Sequence, residues 1–373
     1  MKLIRSSKHI LKYQTDLKSK FLDQLFQDYK TELQFYIDLI WDKKLPLEKF
    51  LSSKLLPNNK FLHSQWKQVI YKNASEIIRA NTKRKKTSKP IINNIGINID
   101  ARLFDIEENS SAEFDIFCKI FLPYLTENQK HRYLKIKIPI RQHKHSLKYK
   151  NWKRLNTIKL TKSSIGNYYI TFAYENEIEI KSEGDKIGID IGYKKLLSTS
   201  NGKFIGTNFQ SLCTKISRTK RGSKNQKQLL FERNKIINEL CNQLDLNPVN
   251  HLVIENLKNL KFKTKQNKQI STNFMRKLQY WSYPKVIQKL QFMSEENGVL
   301  LEQVQPEYTS QECSECGFIH NNNRNGELFK CLNCGFEIDA DYNASINIRN
   351  RGVYNPSASK INSADSVEFS RVA

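Results

Sequence analysis

Cys313 and Cys316 form the pair CSEC, Cys331 and Cys334 form CLNC, and fourteen residues separate the two pairs. Two such knuckles let four thiolates converge tetrahedrally on one Zn²⁺. The glycine after each pair, Gly317 and Gly335, permits the sharp turn that aims backbone amides at the sulfurs. Four cysteine ligands leave no open position for water or substrate, so the expected zinc is structural. His320 reads as a surface residue beside them. Cys118, Cys213 and Cys241 read as packing residues, and the odd total of seven argues against a disulfide framework.

Three carboxylates are the second candidate group. In IGIDIG, strand alternation puts Ile187, Ile189 and Ile191 on one face and Gly188, Asp190 and Gly192 on the other, where the glycines clear space beside the acid. Read alone, Asp190 is an edge-strand carboxylate or a metal ligand, because a charge central in a strand must be exposed, paired or coordinating. Glu255 ends the short apolar strand LVIE in the same arrangement, with Leu252 and Ile254 opposite Val253 and Glu255. Asp341 begins a helix and Asp339 stands two residues before it; either suits an N-cap. Three acids on two strand ends and a helix start can converge on a pair of Mg²⁺ ions about 4 Å apart, a site that hydrolyses phosphodiesters.

The composition supplies a matching substrate class. The 373 residues hold 62 Lys+Arg against 37 Asp+Glu, a net charge of +25, which calls for a polyanionic partner. A hydrophobic content of 39% with 20 Phe and 16 Tyr excludes a mostly disordered chain, and the length predicts two to three domains. No apolar run approaches the ~18 residues of a membrane span, and MKLIRSSKHILKYQ lacks the apolar core of a signal peptide. The expected setting is the cytoplasm, with no membrane partner.

Positioning these groups requires both strands and helices. Residues 2–14 read as strand. Leu22, Leu25, Phe26, Tyr29, Leu33, Tyr36 and Ile37 recur at helical spacing, and Ser64–Asn81 carries Trp66, Val69, Ile70, Ile77 and Ile78 on a second helical face. Residues 81–90 form a basic linker. Period-two patterning then returns over 92–180, where Lys135 and Lys137 point outward from YLKIKIPI, toward phosphates or simply toward solvent. Further on come strand, turn and strand over 186–206, a basic helix over 215–244, a strand at 251–257 and a basic loop from 258. They are followed by a helix over 274–297, a strand in VLLEQVQP, a helix over 341–350 and a disordered Ser/Asn-rich tail. Tyr280, Trp281 and Tyr283 are core aromatics or a base-stacking surface.

Four pieces, GIDIGYKKLLSTSNGKFIG, the basic stretch with KRGSK, HLVIENLKNL, and PEYTSQECSECGFIHNNNRNGELFKCLNCGFEIDADYNASINIRN, resemble in order the TnpB proteins of bacterial and archaeal transposons. TnpB proteins are in turn similar to miniature type V CRISPR effectors. The resemblance runs over about residues 185–350. It implies an α+β multidomain fold with a RuvC-like nuclease core of RNase H type (181–308 and 338–352), an inserted zinc ribbon (309–337) and a tail (353–373). It also implies a β-barrel wedge domain (1–15 and 91–180) interrupted by a helical recognition domain (16–90), although no specific N-terminal motif is present. Asp190, Glu255 and Asp341 fall on the catalytic Mg²⁺ positions, Asp341 being preferred to Asp339 because the family pattern is Asp, one residue, Asn-Ala. Arg324 falls on a recurrent basic position, where it approaches the scissile phosphate or is an ordinary surface residue. The implied activity is RNA-guided DNA cleavage, with guide RNA and target DNA as partners and a short flanking DNA motif read by the protein. The alternatives are an RNA-guided DNA-binding regulator that does not cut and a guide-free zinc-ribbon DNA-binding protein.

Overall fold

The computed structural model describes residues 1–57, 63–85, 87–108, 113–126, 129–257 and 276–353. The chain divides into two compact units, Lys2–Asn176 and a second that runs from Glu177 onward together with Met1.

In the first unit, β1 (Lys2–Ile10) leads into α1 (Asp16–Trp41), whose N-cap Thr15 accepts from the amide of Lys18, and α2 (Ser64–Lys83) follows. The apolar stripes read from the sequence are the faces that pack: Leu22, Leu25, Tyr29, Tyr36 and Ile37 on α1 and Trp66 and Ile70 on α2 are fully buried. Trp66 also donates its indole Nε1–H to the carbonyl of Phe121, 2.9 Å away, so a polar atom taken out of water keeps a partner. The strands β2 (Gly96–Asp100), β3 (Phe104–Glu108), β4 (Ile116–Thr126), β5 (Gln129–Ile140), β6 (Lys153–Lys162) and β7 (Tyr168–Glu177) form two sheets, ordered β1-β7-β6-β2 and β3-β4-β5, with the short α3 (Lys144–Leu147) between β5 and β6. Helices and strands share one apolar core. Lys137 pairs with Glu107 at 2.7 Å and also lies 4.3 Å over the ring of Phe117, while Lys135 lies 4.7 Å over Phe121.

The second unit is built on a five-stranded mixed sheet, β10-β9-β8-β11-β12, made of β8 (Asp185–Asp190), β9 (Leu197–Thr199), β10 (Phe204–Ile205), β11 (Val249–Glu255) and β12 (Leu300–Val304). Strand β11 runs parallel to both β8 and β12, whereas β9 turns back antiparallel to β8. Parallel strands covered on both faces read as nearly continuous apolar runs, and β11 is buried along its whole length. One face, with Ile187, Ile189, Leu252 and Ile254, packs against α4 (Phe209–Ser217), α5 (Lys224–Cys241) and α6 (Tyr283–Glu296). At about 1.5–3 kcal/mol per fully buried Ile or Leu, this face is the main source of the unit's stability. The opposite face receives α7 (Ala340–Arg351), with Val253, Val304 and Ile348 in contact.

Two expected helices are broken. The basic run over 215–244 splits between Ser217 and Lys224, where Gly222 is left-handed (φ 78°) and Ser223 caps α5 by accepting from the amide of Gln226. The helix expected over 274–297 is interrupted: residues 276–278 are helical, a turn follows in which Ser282 is left-handed (φ 45°), and α6 begins at Tyr283 with Pro284 in the first turn. Residues 258–275 and the tail from 354 lie outside the described residues, and with them the basic loop and the disordered tail. Cys118, Cys213 and Cys241 are fully buried, and burial pushes their thiols up to about 12, 11 and 11. They pack, as expected.

Candidate functional site

Strand register sets the first two acids side by side. Ile189 of β8 is the partner of Ile254 of β11, so Asp190 and Glu255 occupy the next position at the C-terminal ends of two adjacent parallel strands. Such ends are where open α/β sheets present their chemistry. Both acids face away from the Ile core and toward α7.

Gly188 sets how closely that helix approaches. A Cβ at this position would lie 2.2 Å from the carbonyl oxygen of Ser345 and 2.4 Å from the amide of Arg349, so no other residue lets α7 settle on the sheet. The sequence predicted that the glycines clear space beside the carboxylate; the space is taken by helix backbone. The same approach brings in Asp341, on the first turn of α7. Asp339, the competing candidate, is the N-cap, its Oδ1 accepting from the amides of Asp341 (3.0 Å) and Tyr342 (3.1 Å).

The electrostatics of Asp190 register this convergence. Its carboxyl is pushed up to about 8, first by loss of hydration and then by the negative charges of Glu255 and Asp341, against the opposing pull of Arg324 and Lys195. Glu255 is also raised, mainly by burial, while a hydrogen bond donated by Thr309 Oγ1 and the charges of Arg351 and Arg324 work the other way. Asp341 carries a cation at each oxygen: Arg324 Nη2 lies 2.7 Å from Oδ1 and Lys195 Nζ 3.4 Å from Oδ2. Of the two readings of Arg324, this is the one in which it reaches the acid cluster. Poorly hydrated carboxylates that feel one another's charge suit a hard divalent cation, which relieves their repulsion and prefers oxygen donors, so the donor set fits Mg²⁺.

Several partners of these acids carried no sequence signal. Thr309 is buried, with its carbonyl accepting from Asn347 Nδ2 at 2.9 Å, and it follows Tyr308, whose left-handed backbone (φ 64°) costs about 1–2 kcal/mol. Tyr283 Oη donates to the carbonyl of Glu255 at 2.5 Å, and Trp281 Nε1 donates to the carbonyl of Gly192 at 2.7 Å. These two aromatics are buried, which settles core over base stacking for both.

The four cysteines lie between β12 and α7, on a small three-stranded sheet of β13 (Arg324–Asn325), β14 (Leu328–Lys330) and β15 (Glu337–Asp339). Cys313 Sγ lies 3.7 Å from Cys334 Sγ, and Cys316 Sγ lies 3.6 Å from Cys331 Sγ. A tetrahedron with Zn–S bonds of about 2.3 Å has edges of about 3.8 Å, so the spacing and the soft donors both fit zinc. The two knuckles repeat one backbone pattern. Gly317 N donates to Cys313 O and Gly335 N to Cys331 O, with both glycines left-handed (φ 73° and 76°). Among the described residues, these cysteines form the group whose ligand atoms all lie within 4.8 Å of one another; the three acids stand wider than that. His320 is exposed and accepts from Asn322 N.

The ribbon and the acids are joined. Asn343 Oδ1 accepts from Ser314 N within the first knuckle and its Nδ2 donates to Glu312 O, while Asn347 Nδ2 donates to Glu312 O and Arg351 reaches the Glu312 carboxylate. The Asn of the Asp-x-Asn-Ala pattern thus fastens the helix that carries Asp341 to the cysteine loop.

Residues 283–348 match the family model of the Cas12f1-like TNB domain. Over 72 residues the chain is 50% identical to the CRISPR-associated endodeoxyribonuclease Cas12f1 of Sulfoacidibacillus thermotolerans, spanning 19% of this chain and 17% of that protein. A TnpB-like protein of Aquifex aeolicus (strain VF5) is 32% identical over 99 residues, 26% of this chain and 31% of its own. These curated relatives are therefore matched over less than a third of their length. Among solved structures, a Cas12f1 in complex with single guide RNA and target DNA superposes with a TM-score of 0.56 at 18% identity, covering 91% of this chain and 82% of that one. That likeness concerns the mixed α+β fold. Among the described residues, no helix is long and apolar enough to cross a membrane.

Proposed function

We propose that the chain, which is similar to Cas12f1 and TnpB-like proteins over part of its length, is a member of the family of TnpB and miniature type V proteins and an RNA-guided DNA endonuclease that cuts target DNA by metal-dependent phosphodiester hydrolysis. The observation that carries the proposal is the convergence of Asp190, Glu255 and Asp341: loss of hydration, and after it the charges of the other two acids, push the Asp190 carboxyl up to about 8. Buried acids that repel one another cost stability when ionised. They are arranged to hold cations against a phosphate.

In this reading the second unit is the RuvC-like core of RNase H type, with 309–337 as its zinc ribbon. The strands of the first unit form a wedge domain, a β-barrel into which the helices of residues 16–90 are inserted as a recognition domain. Asp190, Glu255 and Asp341 hold two Mg²⁺ ions, which supply an activated water and charge stabilisation at the leaving oxygen. Thr309 orients Glu255, and the N-cap Asp339 fixes the turn that presents Asp341. Arg324, now on Asp341 Oδ1, is within reach of a phosphate oxygen brought to the same place. Cys313, Cys316, Cys331 and Cys334 hold a structural Zn²⁺ beside the small sheet whose β13 carries Arg324 and whose β15 leads into Asp341. The guide RNA and target duplex take up the charge of +25, in the cytoplasm of a prokaryote that carries the element as a transposon or a CRISPR-like system.

The test is to co-express the protein with its flanking genomic RNA, sequence the RNA that co-purifies, and assay cleavage of matching DNA with Mg²⁺. Cutting should require the matching guide and vanish in Asp190→Ala while guide binding persists. Equal cutting by the variant, or activity indifferent to ribonuclease, refutes the proposal.

A further inference from the structure

Lys195 lies in the turn that joins β8, which carries Asp190, to β9. Its side chain is 12% exposed, and its ammonium stands 2.5 Å from Asp339 Oδ2, 3.4 Å from Asp341 Oδ2 and 4.4 Å above the ring of Phe204. Its neighbour Lys194 also makes an ion pair, at 2.7 Å to Glu327, but with both side chains about half exposed. An exposed pair of that kind contributes little. A lysine withdrawn from water between two carboxylates is a different matter, since an apolar residue of similar size would often serve stability as well or better.

The Asp339 carboxylate divides its work. Oδ1 accepts from the amides of Asp341 and Tyr342 and so caps α7, while Oδ2 takes Lys195. Lys195 therefore ties the first turn of α7, from which Asp341 projects, to the strand end from which Asp190 projects. Because Asp339 is its second partner, Lys195 keeps its anchor whichever oxygen of Asp341 turns to a ligand.

We propose that Lys195 is a positioning residue of the acid cluster, acting through Asp339 to fix the Asp341 carboxylate relative to Asp190. The role presupposes the proposed metal-holding acids, and the experiment separates the two claims. Amide hydrogen exchange at Asp341 and Tyr342 is followed in the full chain without divalent metal other than zinc, and Mn²⁺ is titrated calorimetrically. The proteins are wild type, Lys195→Met, Lys195→Arg, Asp339→Asn and the double variant Lys195→Met/Asp339→Asn.

Lys195→Met should speed exchange at both amides on the order of tenfold and weaken Mn²⁺ binding about 10- to 100-fold, as for residues that orient a ligand. Lys195→Arg should restore both. Asp339→Asn should behave like Lys195→Met even though asparagine caps helices as well as aspartate does, and the double variant should be no worse than either single one. Unchanged exchange in Asp339→Asn overturns the proposal. So does tighter Mn²⁺ binding in Lys195→Met, the result expected if Lys195 were only a competing positive charge. Should Lys195→Met fail to fold, Asp339→Asn, which keeps the cap, decides alone. If wild type and Asp190→Ala bound Mn²⁺ alike, the acid cluster would fail as a metal site, and the exchange data would still judge Lys195.

Discussion

The four cysteines and the three acids belong to the same unit, yet they are assembled in opposite ways. The cysteines come from one stretch of chain, Cys313 to Cys334, and each knuckle closes on itself through a glycine and an i→i+4 backbone bond. Their geometry needs little beyond those residues and a metal. The acids come from residues 190, 255 and 341 and meet only because parallel register aligns two strand ends and Gly188 admits a helix. A local site is robust and carries no open position; a non-local one is costly to assemble and leaves carboxylates exposed to ligand. Under the proposed function, chemistry goes to the second, while the first holds Arg324 and Asp341 in place.

If this contrast is right, damage to the acid centre abolishes activity without loss of fold. Glu255→Gln should cut DNA on the order of 10³-fold more slowly, the loss of several kcal/mol of charge stabilisation, with zinc content and melting temperature near wild type. A large drop in melting temperature would show Glu255 to be structural. Damage to the cysteine centre should do the reverse: Cys331→Ser should lose stoichiometric zinc, measurable by metal analysis, and destabilise residues 309–337 by several kcal/mol. Cleavage should fail only as a consequence.

The acid centre should also show itself through pH. Asp190 titrates near 8 in the folded, Mg²⁺-free protein and near 4 when unfolded, so the folded state holds an extra proton between those values. Stability from this group is fully present below about pH 4 and is lost progressively as pH rises to about 8. Melting with Mg²⁺ omitted should therefore fall from pH 5 to pH 9. Asp190→Asn should flatten that slope, and Mg²⁺ should too. Gly188→Ala should cost at least about 1–3 kcal/mol by overpacking, since its Cβ meets helix backbone, and reduce cleavage further because it lifts Asp341 from its partners.

The contrast also explains what could be read in advance. The amphipathic faces of α1 and α2, the alternation in β8 and β11 and both cysteine knuckles were legible, because each depends on spacing within one element. The helix α7 was placed by its capping acids alone, for it has no apolar stripe: Asn343, Ser345 and Asn347 are as buried as Ala344 and Ile348. The partners of the two asparagines lie in the loop from Thr309 to Ser314, and no periodicity reports a side chain satisfied by a distant backbone. The breaks at Gly222 and Ser282 were missed because helical composition continues through them. Lys195 and Thr309 were invisible for the same reason as the buried asparagines: a lysine in a basic chain and a threonine before a cysteine look ordinary until their neighbours are known.

The amino-acid order by itself determined a net charge suited to nucleic acid, a four-thiolate centre and three acids on element ends, since charge, ligand type and short-range spacing are properties of the chain. Only the tertiary structure decided that the acids share one cluster, that Asp341 and not the cap Asp339 enters it, and that Arg324 and Lys195 balance it. Register, helix approach and the loss of hydration that raises Asp190 arise when strands more than sixty residues apart are brought together in a medium poorer in water than the one they left.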